Sequence, residues 1–163
     1  MATIKKKALI IGAGTGGYPC AIRLGQLGVD AMLVEKDKPG GVCLNWGCIP
    51  TKALLRSGEI NHLLHNLEGF GFKADKISFD FKKIIQRSRG VAEQLASGVR
   101  HLMKKNKVTV IDGEAQIAGH KGAEIELMVD GKTSIKASHV ILATGARARS
   151  LPSCSSQTSA VIS

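Results

Sequence analysis

Aromatic residues are scarce in this 163-residue chain, at 4% of positions. Any core must therefore be aliphatic. With 44% of residues hydrophobic, there is enough apolar material for one ordinary folded domain and too much for a disordered chain. The scarcity of aromatics also counts against nucleic-acid binding. The formal charge of +10 would suit a polyanion. Yet the basic stretches Lys82–Arg89 and Arg100–Lys107 carry no aromatic side chain for base stacking. Charge runs of this kind are usually the solvated face of a helix, so no nucleic-acid partner is expected. Apolar runs are short, none approaching the ~18–20 residues of a membrane span, so no membrane partner is expected either. Cysteines are few: Cys20, Cys43, Cys48 and Cys154 are too unevenly spaced for a secreted disulfide framework. Residues Met1–Lys7 lead straight into an apolar strand, leaving no room for a signal or transit peptide. The expectation is a cytoplasmic protein.

Glycine is plentiful, and its placement is informative. The run Lys7–Gly12 reads as a short buried strand of the kind found in parallel sheets. Gly12, Gly14 and Gly17 follow in the pattern G-x-G-x-x-G, with Gly16 between the last two. A helical stretch with Ala21, Leu24 and Leu27 on one face then ends at Gly28, and Ala31–Glu35 reads as a second buried strand. In such a βαβ unit one glycine makes the tight turn, another lets main chain approach a pyrophosphate, and the third lets helix and strand pack closely. The helix N-terminus offers N–H groups and a partial positive charge to the phosphates. Glu35 stands 18 residues beyond Gly17, close to the ~20 expected for an acid that holds a ribose hydroxyl. Strand, loop, helix, strand and acid together form a specific dinucleotide fingerprint.

Further along, Thr51 to about Leu67 reads as a helix, broken by Gly69-Phe70-Gly71-Phe72. Asp80 is a good N-cap for a long helix with Phe81, Ile84, Ile85, Ser88, Val91, Ala92, Leu95, Val99, Leu102 and Met103 on one stripe. Lys104, Lys105 and Lys107 close it at its negative end. Val108–Ala115 reads as one strand. Ile125–Val129 and Ser134–Ala137 form a hairpin about Asp130-Gly131, and His139–Gly145 is another buried strand. Its end, Ala143-Thr144-Gly145, would line the crevice beside Gly12–Gly17, because ligands of open α/β sheets sit at the carboxyl ends of the strands. The fold expected is α/β: a Rossmann-like parallel sheet over residues 1–150 with a small antiparallel hairpin or meander.

The segment from Gly40 to Lys52, GGVCLNWGCIPTK, is the centre of the chain's chemistry. Cys43 and Cys48 are five positions apart. On a continuous helix such residues lie about 140° apart and roughly 7.5 Å along the axis, beyond the usual Cα separation of a disulfide. A bridge between them needs a distorted segment, which Gly47 and Pro50 permit. Such a pair reads as redox-active. Two alternatives stand beside it. Cys43, Cys48, His62 and His65 have nearly the spacing of a Cys2His2 zinc site, although Pro50, Gly58 and a long helix follow where a finger would have its hairpin and compact helix. A structural or accidental thiol pair is the other, although cytosolic disulfides are usually catalytic. Cys20 reads as a small buried helix residue. If the pair is catalytic, a helix N-terminus and Lys52, one turn after Cys48, would favour the thiolate.

These residues carry a resemblance. The run Gly12–Gly17, Glu35 and the segment from Gly40 through Lys52 to Leu55 resemble the FAD-binding N-terminal part of the flavoprotein disulfide reductases. Within that family the cysteine segment is most similar to that of the dihydrolipoamide dehydrogenases. The resemblance covers about residues 4–150. It implies FAD as cofactor, NAD as a second cofactor bound elsewhere, and oxidation of dihydrolipoamide on a lipoyl carrier. It further implies a homodimer serving a 2-oxo acid dehydrogenase or glycine cleavage complex. By resemblance, Cys43 exchanges with dihydrolipoamide, Cys48 faces the flavin, Lys52 lies by the flavin ring and Glu35 by the adenosine ribose. Gly113 and Ala115 would meet the adenine, and Gly16, Lys36, Gly41, Val42, Ala143, Thr144 and Gly145 would also line the cofactor. Val42 stands where the family commonly has threonine, so no side-chain hydroxyl is offered to the flavin there.

Family members are roughly three times longer, with an NAD-binding domain, a closing segment of the FAD domain and an interface domain that brings a catalytic His–Glu pair across the dimer. This sequence departs from the family after Pro152, in a Ser-rich tail over 151–163. The expectation is a disordered tail from a frameshifted or prematurely stopped gene, and a fragment without turnover. A binding module that holds FAD or another nucleotide without catalysis is the competing reading.

Overall fold

A computed structural model describes residues 3–146, so the Ser-rich tail expected over 151–163 lies outside the described residues. In chain order the elements are β1 (Ile4–Ile11), α1 (Gly17–Gln26), β2 (Ala31–Glu35), α2 (Gly41–Asn45), α3 (Cys48–His65), a 3₁₀ turn (Leu67–Phe70), α4 (Phe81–Lys105), β3 (Thr109–Asp112), β4 (Ala115–Lys121), β5 (Glu124–Val129) and β6 (Thr133–Leu142). The six strands form one sheet in the order β3-β2-β1-β6-β5-β4. Its first four are parallel, and β5 and β4 continue it antiparallel. The expected α/β fold, a Rossmann-like sheet with an antiparallel meander, is the one the chain adopts.

Alternation along β1 and β2 explains why both read as continuously apolar. Ile10, Ala31 and Leu33 point to one face, where Ala21 of α1 and Ala96, Val99 and Met103 of α4 cover them. Leu9, Met32 and Val34 point to the other, where Leu127 and Val129 of β5 and Ile135 and Ala137 of β6 pack. Helices thus cover one face of the parallel sheet and the meander covers the other, which leaves the central strands dry on both sides. Small residues let the helices lie close: a Cβ at Gly17 would overlap the carbonyl oxygen of Gly12, the packing role expected of the third glycine. Asp80 caps α4 as expected, its carboxylate accepting the Lys83 N–H at 3.1 Å. In the hairpin, Asp130 and Gly131 have φ of 52° and 65°, the pair of positive values that a tight primed turn requires.

Several details differ from the sequence reading. α3 begins at Cys48, not Thr51. Leu27 is exposed, because α1 stops at Gln26 before the helical face reaches it. Cys20 is half-buried. On α4 the buried residues are Ser88, Ala92, Ala96, Val99 and Met103, while Phe81, Leu95 and Leu102 are exposed. The apolar stripe is wider than the line along which the helix meets the sheet. The strand expected over Val108–Ala115 is two strands, since Gly113 turns the chain between β3 and β4. Conversely, the hairpin arm and the final strand are one continuous β6, paired with β1 from Ile4↔Ile135 to Ile11↔Leu142. Its last residues are only partly covered, because β5 pairs no further than Ala137. No helix among the described residues is long and apolar enough to cross a membrane.

Burial separates two leucines that composition alone makes equivalent. Leu33 is 0% exposed and Leu102 44%. In chemical denaturation, Leu33→Ala is expected to cost about 2–5 kcal/mol of stability and Leu102→Ala under about 1 kcal/mol. Equal losses would contradict the packing described.

Candidate active site

Four parallel strands end at the same edge, and short main-chain bonds continue their pairing past the strand ends. Gly12 N–H donates to Val34 O at 2.8 Å, Ala143 N–H to Ile11 O at 2.9 Å and Gly113 N–H to Glu35 O at 2.8 Å. The loops that follow these tips enclose a cleft of about 1010 Å³, at the upper end of the range for small-molecule sites. Glu35 is the tie among them. One of its carboxylate oxygens accepts from Ala13 N–H at 2.6 Å and the other from Asp37 N–H at 2.9 Å. Each oxygen keeps a second lone pair for a ligand hydroxyl. Beside it the exposed Lys36 ammonium meets the Glu114 carboxylate at 2.8 Å. The Asp130 carboxylate accepts from Glu114 N–H at 2.8 Å, so the hairpin turn braces this corner of the cleft.

The floor of the cleft is main chain. Among the described residues, no hydrogen bond runs from the N–H groups of Gly14, Thr15 or Gly16 to a protein acceptor. α1 starts directly behind them with no acidic residue in its first turn, so its positive end is unopposed. Beta carbons at Gly14 and Gly16 would find their nearest atoms 3.9 and 4.0 Å away, which marks space on the cleft side of both. Free donors, a helix N-terminus and room for close approach fit the pyrophosphate of a dinucleotide.

The cysteine segment forms the adjoining wall. Gly40 N–H donates to Ala13 O at 2.8 Å, and a Cβ on Gly41 would come within 2.7 Å of the Gly14 Cα. Gly41, at φ 63°, therefore lets α2 lie against the nucleotide loop. α2 ends after five residues, and Gly47, at φ −116° and ψ −111°, separates it from α3. This break replaces the roughly 7.5 Å axial offset of a continuous helix by a Cα–Cα distance of 4.7 Å, and Cys43 and Cys48 are joined in a disulfide. Cys48 is the first residue of the 18-residue α3, where the helix field favours a thiolate once the bond opens. Pro50, buried in the same first turn, needs no acceptor for an N–H it does not have.

The structure gathers most of the expected site. Gly12, Gly14, Gly16, Glu35, Lys36, Gly41, Val42, Cys43, Cys48, Gly113, Ala115, Ala143, Thr144 and Gly145 all line the cleft. Gly17 does not, being the buried first residue of α1, and Lys52 is exposed on α3 outside the lining. The Cys2His2 alternative is not assembled: the two sulfurs are bonded to each other, and His62 and His65 are exposed toward the far end of α3. Sequence reasoning missed Thr15, Asp37, Trp46 and Glu114, which also line the cleft. Thr15, Asp37 and Glu114 immediately neighbour residues of the expected set and Trp46 lies between the two cysteines, so position in the chain was the available signal.

A protein-family model described as pyridine nucleotide-disulphide oxidoreductase matches residues 6–161. Among curated proteins, the dihydrolipoyl dehydrogenase of Zymomonas mobilis subsp. mobilis is 50% identical over 144 residues, covering 88% of this chain and 31% of that protein. The dihydrolipoyl dehydrogenase of Bacillus subtilis is 43% identical over 155 residues, covering 88% and 32%. That of Mycobacterium tuberculosis is 43% identical over 148 residues, covering 90% and 32%. The chain spans about a third of the length of these relatives. With a dinucleotide cleft walled by a cysteine pair, and a family match across nearly its whole length, the chain belongs to the pyridine nucleotide-disulphide oxidoreductase family.

Proposed function

We propose that residues 1–150 are the FAD-binding and disulfide-bearing domain of a dihydrolipoamide dehydrogenase, acting in the cytoplasm. The observation that carries this reading is the Cys43–Cys48 bond set into the wall of a cleft whose floor is the glycine loop. Gly14, Thr15 and Gly16 hold the pyrophosphate, Glu35 and Lys36 the adenosine ribose, and Gly113 and Ala115 the adenine. Gly41, Val42 and Ala143–Gly145 border the flavin. FAD, when bound, supplies a two-electron acceptor beside the cysteines.

The chain's own chemistry is thiol–disulfide exchange. A thiolate of dihydrolipoamide attacks Cys43 Sγ, and the bond to Cys48 breaks with Cys48 leaving as the thiolate. The second substrate thiol, deprotonated, attacks the substrate sulfur of the mixed disulfide. That closes the lipoamide ring and frees Cys43, so two electrons pass from the substrate dithiol to the cysteine pair. The start of α3 stabilises Cys48 as the leaving group. Lys52, on the first turns of α3 but outside the cleft lining, adds positive charge near Cys48. In the whole protein NAD then receives the electrons, the protein is a homodimer, and the dihydrolipoamide is carried by a 2-oxo acid dehydrogenase or glycine cleavage complex. For these 163 residues, about a third of the relatives' length, the proposal is FAD binding and the thiol half-reaction without turnover.

Three measurements test the reading. With FAD bound, a mild dithiol reductant is expected to produce a long-wavelength absorbance band that Cys48→Ser abolishes; bound FAD with cysteines that never react would instead favour a binding module without catalysis. By fluorescence titration, Glu35→Ala is expected to weaken FAD binding by about tenfold or more, the scale of one hydrogen bond to a charged group; unchanged affinity would remove Glu35 from the site. Purified chain supplied with dihydrolipoamide, FAD and NAD is expected to form no NADH beyond background, and steady NADH formation would refute the loss of turnover.

A further inference from the structure

Between the two cysteines stands a buried polar side chain. Asn45, the last residue of α2, is 7% exposed. Its amide nitrogen donates to Gly41 O at 3.0 Å and Pro39 O at 3.1 Å, and lies 3.5 Å from Lys38 O. These bonds tie the end of α2 to the loop in front of Cys43. The main-chain oxygen of the same residue accepts from Arg89 Nη1 at 3.3 Å, and two positions earlier on α4 Arg87 Nη1 reaches Ala53 O of α3 at 3.2 Å. The 25-residue α4 is itself fixed to the sheet through Ala96, Val99 and Met103. Asn45 therefore sits in a bracket, held by its side chain from within and by Arg89 from the rigid helix behind.

The bracket matters most when the disulfide is open. An intact S–S bond locks the two arms together by itself. Once it is reduced, the only covalent connection is the short path through Trp46 and Gly47, where the helices are interrupted. A helix of five residues has almost no stability of its own, so α2 would drift from Cys48 unless something else restrained it. Restraining the reduced arms raises the effective concentration of one sulfur at the other.

We propose that Asn45 and Arg89 are positioning residues of the redox pair, holding the reduced cysteines within bonding reach and so setting the ratio of disulfide to dithiol. This rests on the reading that the pair cycles. The coupling is reciprocal, so the closed bond and the bracket stabilise each other by the same factor.

The test is redox equilibrium of the whole 163-residue chain in glutathione buffers of graded ratio. Two glutathione thiols reduce the bond and leave as glutathione disulfide; free protein thiols are then alkylated and counted by mass. Arg89→Leu keeps an aliphatic stem and loses the donor, and is expected to shift the equilibrium toward dithiol about threefold or more. Asn45→Ala should shift it about tenfold, the scale of the net contribution of one to two hydrogen bonds. Arg89→Lys, which keeps a charged donor, should stay closer to wild type than Arg89→Leu. Should Asn45→Ala fail to fold, the exposed Arg89 decides alone. An equilibrium unchanged in Arg89→Leu would overturn the inference, as would an Arg89→Lys shift as large as that of Arg89→Leu. A wild-type pair that never exchanges with glutathione would refute the redox reading itself. Expected shifts in a chain that binds no FAD would leave the bracket standing and sink the flavin assignment.

Discussion

The site depends on main chain meeting main chain with no side chain between. Gly40 donates to the Ala13 carbonyl, and Gly41 lies so near Gly14 that a methyl group on Gly41 would force the two loops apart. One of these loops can bind a pyrophosphate and the other carries the cysteines. Their contact joins a nucleotide floor and a thiol wall into one cleft, and every functional statement about the chain follows from that juxtaposition. Glu35 reinforces it from below by accepting from Ala13, so the acid expected to hold a ribose also holds the glycine loop in place.

The meander has a structural part in the same arrangement. Without Leu127, Val129, Ile135 and Ala137, the Leu9–Met32–Val34 face of the central strands would be wet. These four meander residues are the counterpart of the helical layer on the opposite side, and they bury apolar surface that the hydrophobic effect would otherwise penalise in water. The strand tips that open into the cleft are thus held from both faces.

Much of this was legible in the residues, for identifiable reasons. Glycine spacing, the 18 positions from Gly17 to Glu35 and the Asp130-Gly131 turn are local signals, each contained within one turn or one βαβ unit. The cysteine pair was legible because its spacing forbids a continuous helix, and the break at Gly47 is where the chain resolves that conflict. What was not legible depends on partners distant in sequence. Nothing near Leu102 says that it falls outside the line along which α4 meets the sheet, although Met103 beside it is fully buried, and nothing near Gly113 says that Asp130 waits to receive the next N–H. The union of two apparent strands into β6 is set by β1, more than a hundred residues earlier. Lys52 follows the cysteines in sequence, yet the direction of α3 carries it away from the lining.

β6 belongs to two pairings at once, antiparallel to β5 at its start and parallel to β1 along its length. At about 3.3 Å per residue its ten residues span roughly 33 Å, from the hairpin turn to the rim of the cleft. A one-residue slip in the hairpin would reverse which side chains face the core along the whole strand, and it would drag Ala143 and Thr144 out of place at the far end. The Asp130-Gly131 turn is therefore the index pin of the cleft rim: two residues outside the cleft lining decide where the wall at the other end of β6 begins.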